Sequence, residues 1–302
     1  MGAVSRPSPA VALVTCSEVP HLDDEGQHLL VALRGRGVDA RPVVWDDAAV
    51  DWAALDLAVV RSTWDYAPRR EEFLAWARRA SSSSVLLNPL PLLEWSTDKH
   101  YLAELEAVGL PVVPSAFVEV GDGESHPYLD VEHVVKPAVS AGSRDTLRLG
   151  AHEPDRSRAH VGAVHAGGRS VLVQPYLAAV DEVGETALVF LDGTLSHAMR
   201  KAALLPAGGE LVEGLFAEEE MTPREPSAAE VEVGLAVMAE VTRRAREAGV
   251  AAPLYARVDL LPDDDGAPRV LELELVEPSL FLDHAPGSAE RLAEAVLHRL
   301  PH

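Results

Sequence analysis

Two stretches near the C-terminal end of the chain decide its fold, Tyr255-Ala-Arg-Val-Asp-Leu-Leu261 and Leu271-Glu-Leu-Glu-Leu275. Both are apolar runs typical of β-strands, and the acidic, glycine-containing turn between them predicts a hairpin. Residues two apart in a strand point to the same face, so Glu272 and Glu274 share a face. The hairpin can place Asp259 opposite them, and the sequence therefore predicts three converging carboxylates.

Three converging carboxylates indicate a cation, because they repel one another strongly unless a positive charge lies between them. Ligation by oxygen alone suits Mg²⁺, which usually also binds the phosphates of a substrate. The alternative is an alternating strand whose acids face water, and Glu-Leu-Glu-Leu by itself favours that alternative. Asp259 argues against it, since an acid between Val258 and Leu260 needs a partner. We therefore predict a metal site at Asp259, Glu272 and Glu274.

Lysine is rare in this chain, and its few positions suit phosphate binding. It occurs three times among 26 basic residues, the others being Arg. Lys136 ends an apolar strand and is followed by small residues, whose backbone N–H groups can approach phosphate oxygens closely. The spacing is not that of a P-loop. The predicted phosphate-binding residues are Lys99, Lys136, Ser140, Ala141, Gly142 and Ser143.

Two further segments fit a nucleotide site. Residues 171–177 predict a strand that runs into a proline-containing linker, where edge backbone groups can meet a purine, although many linkers between lobes look alike. Acids shortly after it can accept a ribose hydroxyl. Adjacent residues Arg200 and Lys201 end a later strand and point to opposite faces; both are candidate catalytic residues, and Arg200 is the preferred charge stabiliser. The predicted nucleotide contacts here are Gln174, Tyr176, Leu177, Glu182 and Glu185.

A polar cluster, Arg61-Ser-Thr-Trp-Asp-Tyr66, directly follows the apolar strand 57–60. Ligands of open parallel sheets bind beyond the carboxyl ends of the strands. The cluster therefore predicts a substrate pocket, and a packed loop with Trp64 in a domain interface is an equally open alternative. The predicted substrate contacts are Arg61, Ser62, Thr63, Trp64 and Asp65.

Composition excludes several classes of protein. Asp and Glu outnumber Lys and Arg by 48 to 26, and such a surface repels nucleic acid and anionic membranes. No apolar run reaches the ~20 residues that span a bilayer, and the first ten residues do not resemble a signal peptide. The single cysteine, Cys16, excludes a disulfide framework. We expect a cytoplasmic protein with a small-molecule substrate, and a homo-oligomer is left open.

The order of elements predicts an α/β protein with three parts. Strand and helix signals alternate over residues 10–87, which indicates a doubly wound parallel sheet, here without a dinucleotide fingerprint. We predict an N-terminal domain at 1–95, a linker helix and small lobe at 96–175, and a large lobe with the metal site at 176–302. The linker helix should begin at Ser96 or Thr97, carry Lys99 in its first turn and end at Gly109; 204–216 should form a lid.

Taken in order, these motifs resemble the ATP-grasp superfamily over the chain from about residue 10. The resemblance rests on Lys99, Lys136-Pro, Gln174-Pro-Tyr-Leu, Gly-Glu185-Thr, Arg200, Arg-Val-Asp259 and Glu272-Leu-Glu274. It implies an ATP-grasp fold, α+β in its nucleotide-binding part, in which two lobes clasp ATP. It also implies that the lysines contact phosphates, 174–177 line adenine, Glu185 holds ribose and the acids carry Mg²⁺. Many members have Asn where this chain has Glu274.

Within the superfamily, Arg61-Ser-Thr-Trp-Asp-Tyr and Glu274-Leu-Val-Glu-Pro-Ser are similar to the branch of D-cycloserine synthetase and glutathione-synthetase-like ligases. The resemblance implies that a small amino-acid-like carboxylate is activated as an acyl phosphate and joined to nitrogen, in antibiotic biosynthesis. These motifs do not separate ring closure from joining two molecules. A kinase on the same fold and a nucleotide sensor without turnover are the alternatives.

Overall fold

The computed structural model describes residues 8–203, 205 and 220–301. Its first sheet is made of β1 (Ala10–Thr15), β2 (Asp39–Val44), β3 (Leu57–Ser62) and β4 (Val85–Leu87), with α1 (Asp24–Arg34) and α2 (Arg70–Ser81) between them. The strands are all parallel in the order β2-β1-β3-β4. Val11 and Leu13 of β1 pack in the same core as α1, whereas Ala12 and Val14 pack with α2. The predicted doubly wound domain is thus confirmed.

The predicted linker helix is wrong in its form. Two short helices occupy this region, α3 (Leu90–Ser96) and α4 (Tyr101–Ala107), and Thr97 caps the end of α3 instead of starting a helix. Lys99 lies in the turn between them, where its backbone N–H donates to the Ala138 carbonyl at 2.9 Å. This bond to a distant segment replaces the one that a continuous helix would supply, so the chain turns at Lys99.

The second sheet contains β5 (Ala116–Val118), β6 (His133–Pro137), β7 (Leu147–Leu149) and β8 (Val171–Pro175), and α5 (Pro154–Ala166) packs on one face. Its strands are antiparallel in the order β5-β8-β6-β7. The stretch just before β5 joins the third sheet, because Val112 bridges to Val270 and the Val113 N–H donates to the Val270 carbonyl.

The third sheet carries most of the predicted acids. After α6 (Val180–Val183) come β9 (Glu185–Leu191), β10 (Thr194–Lys201), β11 (Met221–Pro223), α7 (Ala228–Glu247), β12 (Tyr255–Pro262), β13 (Pro268–Glu274) and α8 (Ser288–His298). The strands are antiparallel in the order β11-β10-β9-β12-β13. A capping box of Ser227 and Glu230 starts α7. The predicted lid lies outside the described residues, apart from Leu205.

Asn88, directly after β4, fastens the first sheet to the third. Its side-chain amide donates to the carbonyls of Tyr255 and Leu275 at 2.8 and 2.7 Å, and its oxygen accepts from the Leu254 N–H at 2.7 Å. These bonds satisfy buried backbone groups that the sheets leave unpaired. The domain boundaries at 95 and 175 stay a prediction. Within the described ranges, no helix is long and apolar enough to cross a membrane.

Candidate active site

A cavity of about 670 Å³ lies between the second and third sheets, and the start of α1 and the loop after β3 complete its wall. Eight carboxylate side chains and four cationic ones line it, so its chemistry is dominated by charge. Most of the predicted site residues are in its wall: Trp64, Lys99, Lys136, Ser140, Ala141, Gly142, Ser143, Gln174, Tyr176, Leu177, Glu185, Lys201, Asp259, Glu272 and Glu274.

The hairpin of β12 and β13 brings the three predicted acids together. Asp259 lies directly across from Glu272, and Arg257 lies across from Glu274. Both Asp259 oxygens accept from Arg257, at 2.8 and 2.9 Å, and the same guanidinium contacts Glu274. The predicted shared face is confirmed, and Arg257 is a buried cation within it that sequence reasoning did not identify.

Lys201, at the end of β10, faces these acids. Its ammonium donates to Asp259 Oδ2 at 3.1 Å and to Glu185 Oε2 at 2.9 Å. Arg200 points the other way, and its guanidinium donates to the carbonyls of Val183 and Glu182 at 2.8 and 3.2 Å. The preference for Arg200 as the group facing the site is therefore wrong, because strand alternation turns Lys201 inward.

The other two lysines meet at Glu272. Lys99 lies 2.9 Å from Glu272 Oε1, and Lys136 lies 3.9 Å from Oε2. Lys99 also donates to the carbonyl of Ser140 at 2.8 Å, which attaches the small-residue loop to the turn after α3. The loop continues through Gly142 and Ser143, whose φ angles of 62° and 58° are left-handed. All three lysines of the chain thus converge on one group of acids.

The charges in this group shift one another strongly. Burial raises the pKa of Asp259, but Arg257 and Lys201 outweigh burial and lower that pKa to about 2. Burial also raises the pKa of Glu272, and the lysines beside it leave that pKa below its usual range. Burial and the adjacent carboxylates raise the pKa of Glu274 to about 7, against the effect of Arg257. Near neutral pH, Glu274 can therefore hold or release a proton.

The donor chemistry of the acids fits a divalent cation with oxygen ligands. Among the residues that the structure describes, no three acidic, His or Cys side chains already stand in a metal-binding arrangement. Arg257 occupies both oxygens of Asp259, and lysines contact Glu272. Asp259, Glu272 and Glu274 could hold Mg²⁺ once anionic oxygens draw these cations away.

The end of β8 and the segment after it form another part of the wall. Gln174 is buried and donates to Ser115 Oγ at 3.0 Å, and Tyr176 and Leu177 follow it along the cavity. The guanidinium of Arg148 lies 3.5 Å from the centre of the Tyr176 ring, which fixes that ring in place. Glu182 is exposed and does not reach the cavity, so Glu185 is the acid available to a ligand there.

Most side chains of the cluster at the end of β3 form contacts with neighbouring segments of the protein and do not line the cavity. Arg61 is buried and donates to the Pro278 carbonyl at 3.1 Å, and Ser62 donates to Asp23 at 2.6 Å. Asp65 accepts from the indole of Trp45 at 2.8 Å, inside the first domain. Thr63 is buried, and only Trp64 lines the cavity. The other four residues do not line the cavity and are packed as in the packed-loop alternative, and their substrate contact stays a prediction.

Side chains from several elements hold the backbone of residues 277–281, which sequence reasoning missed. Trp64 donates to the Glu277 carbonyl at 3.3 Å, and Arg257 donates to the Ser279 carbonyl at 3.2 Å. The carboxylate of Glu25, in the first turn of α1, accepts the N–H groups of the two residues that follow Ser279. No sequence signal marked Glu25, because a glutamate in a first helical turn is common.

Comparisons with known proteins agree with this architecture. A family model, D-cycloserine synthetase DcsG, N-terminal domain, matches residues 11–88. The cycloserine biosynthesis protein DcsG of Streptomyces lavendulae is 36% identical over 299 residues, covering 96% of this chain and 98% of that protein. The crystal structure of D-cycloserine synthetase DcsG, also 36% identical, matches with a TM-score of 0.86 over 97% of this chain and 100% of that one.

A more distant structure shows the fold alone. The ATP-grasp ligase PsnB, complexed with a phosphomimetic variant of its minimal precursor, Mg and ADP, is 18% identical, with a TM-score of 0.61 over 98% of this chain and 100% of that one. The fold and the near full-length relationship together decide the classification. The chain belongs to the ATP-grasp ligases, in the family of D-cycloserine synthetase DcsG.

Proposed function

We propose that this chain uses ATP and Mg²⁺ to activate the carboxylate of a small amino-acid-like substrate as an acyl phosphate, and then forms a C–N bond. The observation that carries the proposal is the convergence of all three lysines on the carboxylates of Glu185, Asp259 and Glu272 in one cavity. Such a group suits a triphosphate and a divalent cation, since each cation of the protein gains an anionic partner and each acid a metal.

The proposed nucleotide contacts follow the wall of the cavity. Lys99, Lys136 and the loop Ser140 to Ser143 would meet the phosphates, and Glu185 would meet the ribose. Gln174, Tyr176 and Leu177 would line the adenine. Asp259, Glu272 and Glu274 would hold Mg²⁺, which when bound offsets phosphate charge. The names of two relatives support this reading, because the PsnB structure contains Mg and ADP and another ATP-grasp structure, a D-alanine–D-alanine ligase from Bacillus anthracis, contains ATP.

The chain's own residues would mainly position the two substrates and neutralise the negative charge of the phosphates. Lys201 and Arg257 place two positive charges beside Asp259, where they can stabilise charge that develops on the transferred phosphoryl group. The buried wall limits water, which would otherwise hydrolyse an activated carboxylate. Because the close relative is named for cycloserine biosynthesis, we propose intramolecular ring closure in an antibiotic pathway in the cytoplasm, with joining of two molecules as the alternative.

The test is ADP release from the full chain with ATP, Mg²⁺ and a panel of amino-acid derivatives. Ring closure gives a product one water lighter than one substrate, and joining gives a product one water lighter than two. A hydroxamate formed with added hydroxylamine supports the ligase, and a stable phosphorylated product would support a kinase instead. Glu272→Gln should abolish turnover, whereas Glu232→Gln, exposed on α7, should not; a sensor would bind ATP without turnover in either case.

A further inference from the structure

Four carboxylates of the cavity wall have no role among the nucleotide and metal contacts, those of Asp23, Asp24, Glu25 and Glu277, and the most buried of them is that of Glu277. The residue is only 8% exposed and lines the cavity. Among the described residues, its side chain forms no hydrogen bond and no ion pair, although its backbone carbonyl accepts from Trp64. A buried carboxylate without a donor is unfavourable unless a ligand supplies the partner.

The neighbouring acids in the same part of the wall are already engaged. Asp23 accepts from Ser62 at 2.6 Å and from the Gly26 N–H at 3.3 Å as the cap of α1. Glu25 accepts two backbone N–H groups of the segment 277–281. Glu277 differs from both, since Trp64 holds its backbone while its carboxylate has no donor among the described residues. That carboxylate can therefore contact a ligand in the cavity.

The surroundings of Glu277 suit a cation. Trp64, Tyr66 and Phe281 line the same cavity, and the Trp64 indole reaches the Glu277 carbonyl; aromatic rings attract a positive charge to their faces. Asp24, exposed at the start of α1, adds a negative charge to that part of the wall. Burial and the Glu274 carboxylate raise the pKa of Glu277 well above its usual range, against the weaker effects of Lys99 and Arg257, and a cation bound at Glu277 would lower that pKa.

We propose that Glu277 binds the ammonium group of an amino-acid substrate, with Trp64 and Tyr66 enclosing it. The inference rests on the proposed ligase function and names what that function leaves open, the group by which the substrate is selected. A primary ammonium fits better than a second metal ion, because a metal needs several oxygen ligands, and of the neighbouring acids Asp23 and Glu25 are engaged while Asp24 is exposed.

The experiment uses matched pairs of probes that differ only in the amino group: D-alanine with propionate, and D-serine with 3-hydroxypropionate. ADP release with ATP and Mg²⁺ is measured for the unaltered chain, for Glu277→Gln and for the control Glu232→Gln. In the unaltered chain and the control, the amino acid of each pair should have a KM at least about tenfold lower than the acid that lacks the amino group. Glu277→Gln should raise that KM about tenfold and leave the desamino partner within about twofold.

A conservative variant keeps the test decisive. Glu277→Asp should retain the preference for the amino member at a higher KM, and melting temperatures close to that of the unaltered chain show that the variants fold. Equal use of both members by the unaltered chain, or an unchanged preference in Glu277→Gln, would overturn the ammonium assignment while the ligase proposal stands. Loss of ADP release with every probe in Glu277→Gln alone would place the residue in the nucleotide half instead. No release by the unaltered chain, with ATP still bound, would contradict the ligase proposal itself.

Discussion

The contrast between Lys201 and Arg200 offers a sharp test of the site, because the two residues are adjacent on β10 and face opposite sides. We consider the changes Lys201→Met and Arg200→Met, which remove the charge and keep an unbranched side chain. The Lys201 side chain is 8% exposed and contacts two carboxylates of the cavity. Among the described residues, the Arg200 side chain donates its hydrogen bonds to the backbone carbonyls at the end of α6.

The expected magnitudes follow from these contacts. Loss of a fixed positive charge beside the transferred group costs about 3 kcal/mol of transition-state stabilisation, which corresponds to about a 150-fold fall in kcat/KM. Loss of Arg200 removes two hydrogen bonds, worth about 1 kcal/mol each in folding stability, and leaves the cavity charges unchanged. We therefore expect Arg200→Met to retain kcat/KM within about threefold and to melt at a lower temperature.

The assay is ADP release with the best substrate of the panel, together with thermal unfolding of each variant. Lys201→Arg serves as the matched control, since it keeps the charge but not the compact ammonium, and it should recover part of the activity. If Arg200→Met loses activity as severely as Lys201→Met while it remains folded, the inward orientation of Lys201 would not be the reason for its importance. Equal, small effects of both changes would refute the proposed role of Lys201.

Two further predictions concern stability. Gly184 has a φ of 74°, and a Cβ there would lie 2.4 Å from a β10 carbonyl oxygen. Gly184→Ala should therefore lower the free energy of unfolding, measured by urea titration, by more than about 2 kcal/mol. The control Gly193→Ala, where φ is 77° and the space around the Cβ is open, should lower it by about 1 kcal/mol. Burial lowers the pKa of His100, but hydrogen bonds to Asp98 and Glu119 outweigh it and raise that pKa above 6.5. His100 should thus stabilise the fold fully below about pH 6.5 and lose this effect as pH rises through the raised pKa, so the difference in urea midpoint from His100→Gln should shrink between about pH 6 and pH 9.

The sequence predicted those features that depend on local pattern. Alternation placed Glu272 and Glu274 on one face, and the hairpin placed Asp259 beside them, because both follow from the two-residue period of strands. The rarity of lysine pointed to Lys99 and Lys136, and both reach the acids, as does Lys201, over which Arg200 had been preferred. Regular patterns and compositional bias are properties of the chain itself, so no knowledge of tertiary contacts was needed.

Features that depend on partners distant in sequence were not predictable. The break in the linker helix at Lys99 arises from a bond to Ala138, and nothing near Lys99 signals it. Strand alternation showed that Arg200 and Lys201 face opposite sides, but not which side holds the ligand. Arg61 was assigned to a pocket from its place after a strand, yet its partner is the carbonyl of Pro278, more than two hundred residues away.

The hydrogen bonds that hold the backbone of residues 277–281 have a consequence for how such an enzyme can change over evolution. The side chains that hold this segment bind its main chain, at the carbonyls of Glu277, Pro278 and Ser279 and at the two N–H groups beyond. Those bonds do not depend on which side chains the segment carries. Substitutions of the side chains at 277 and 279 can therefore change the lining of the cavity while the backbone of the segment keeps its position. Residues 277 and 279 are thus suitable positions for a library of variants with altered specificity.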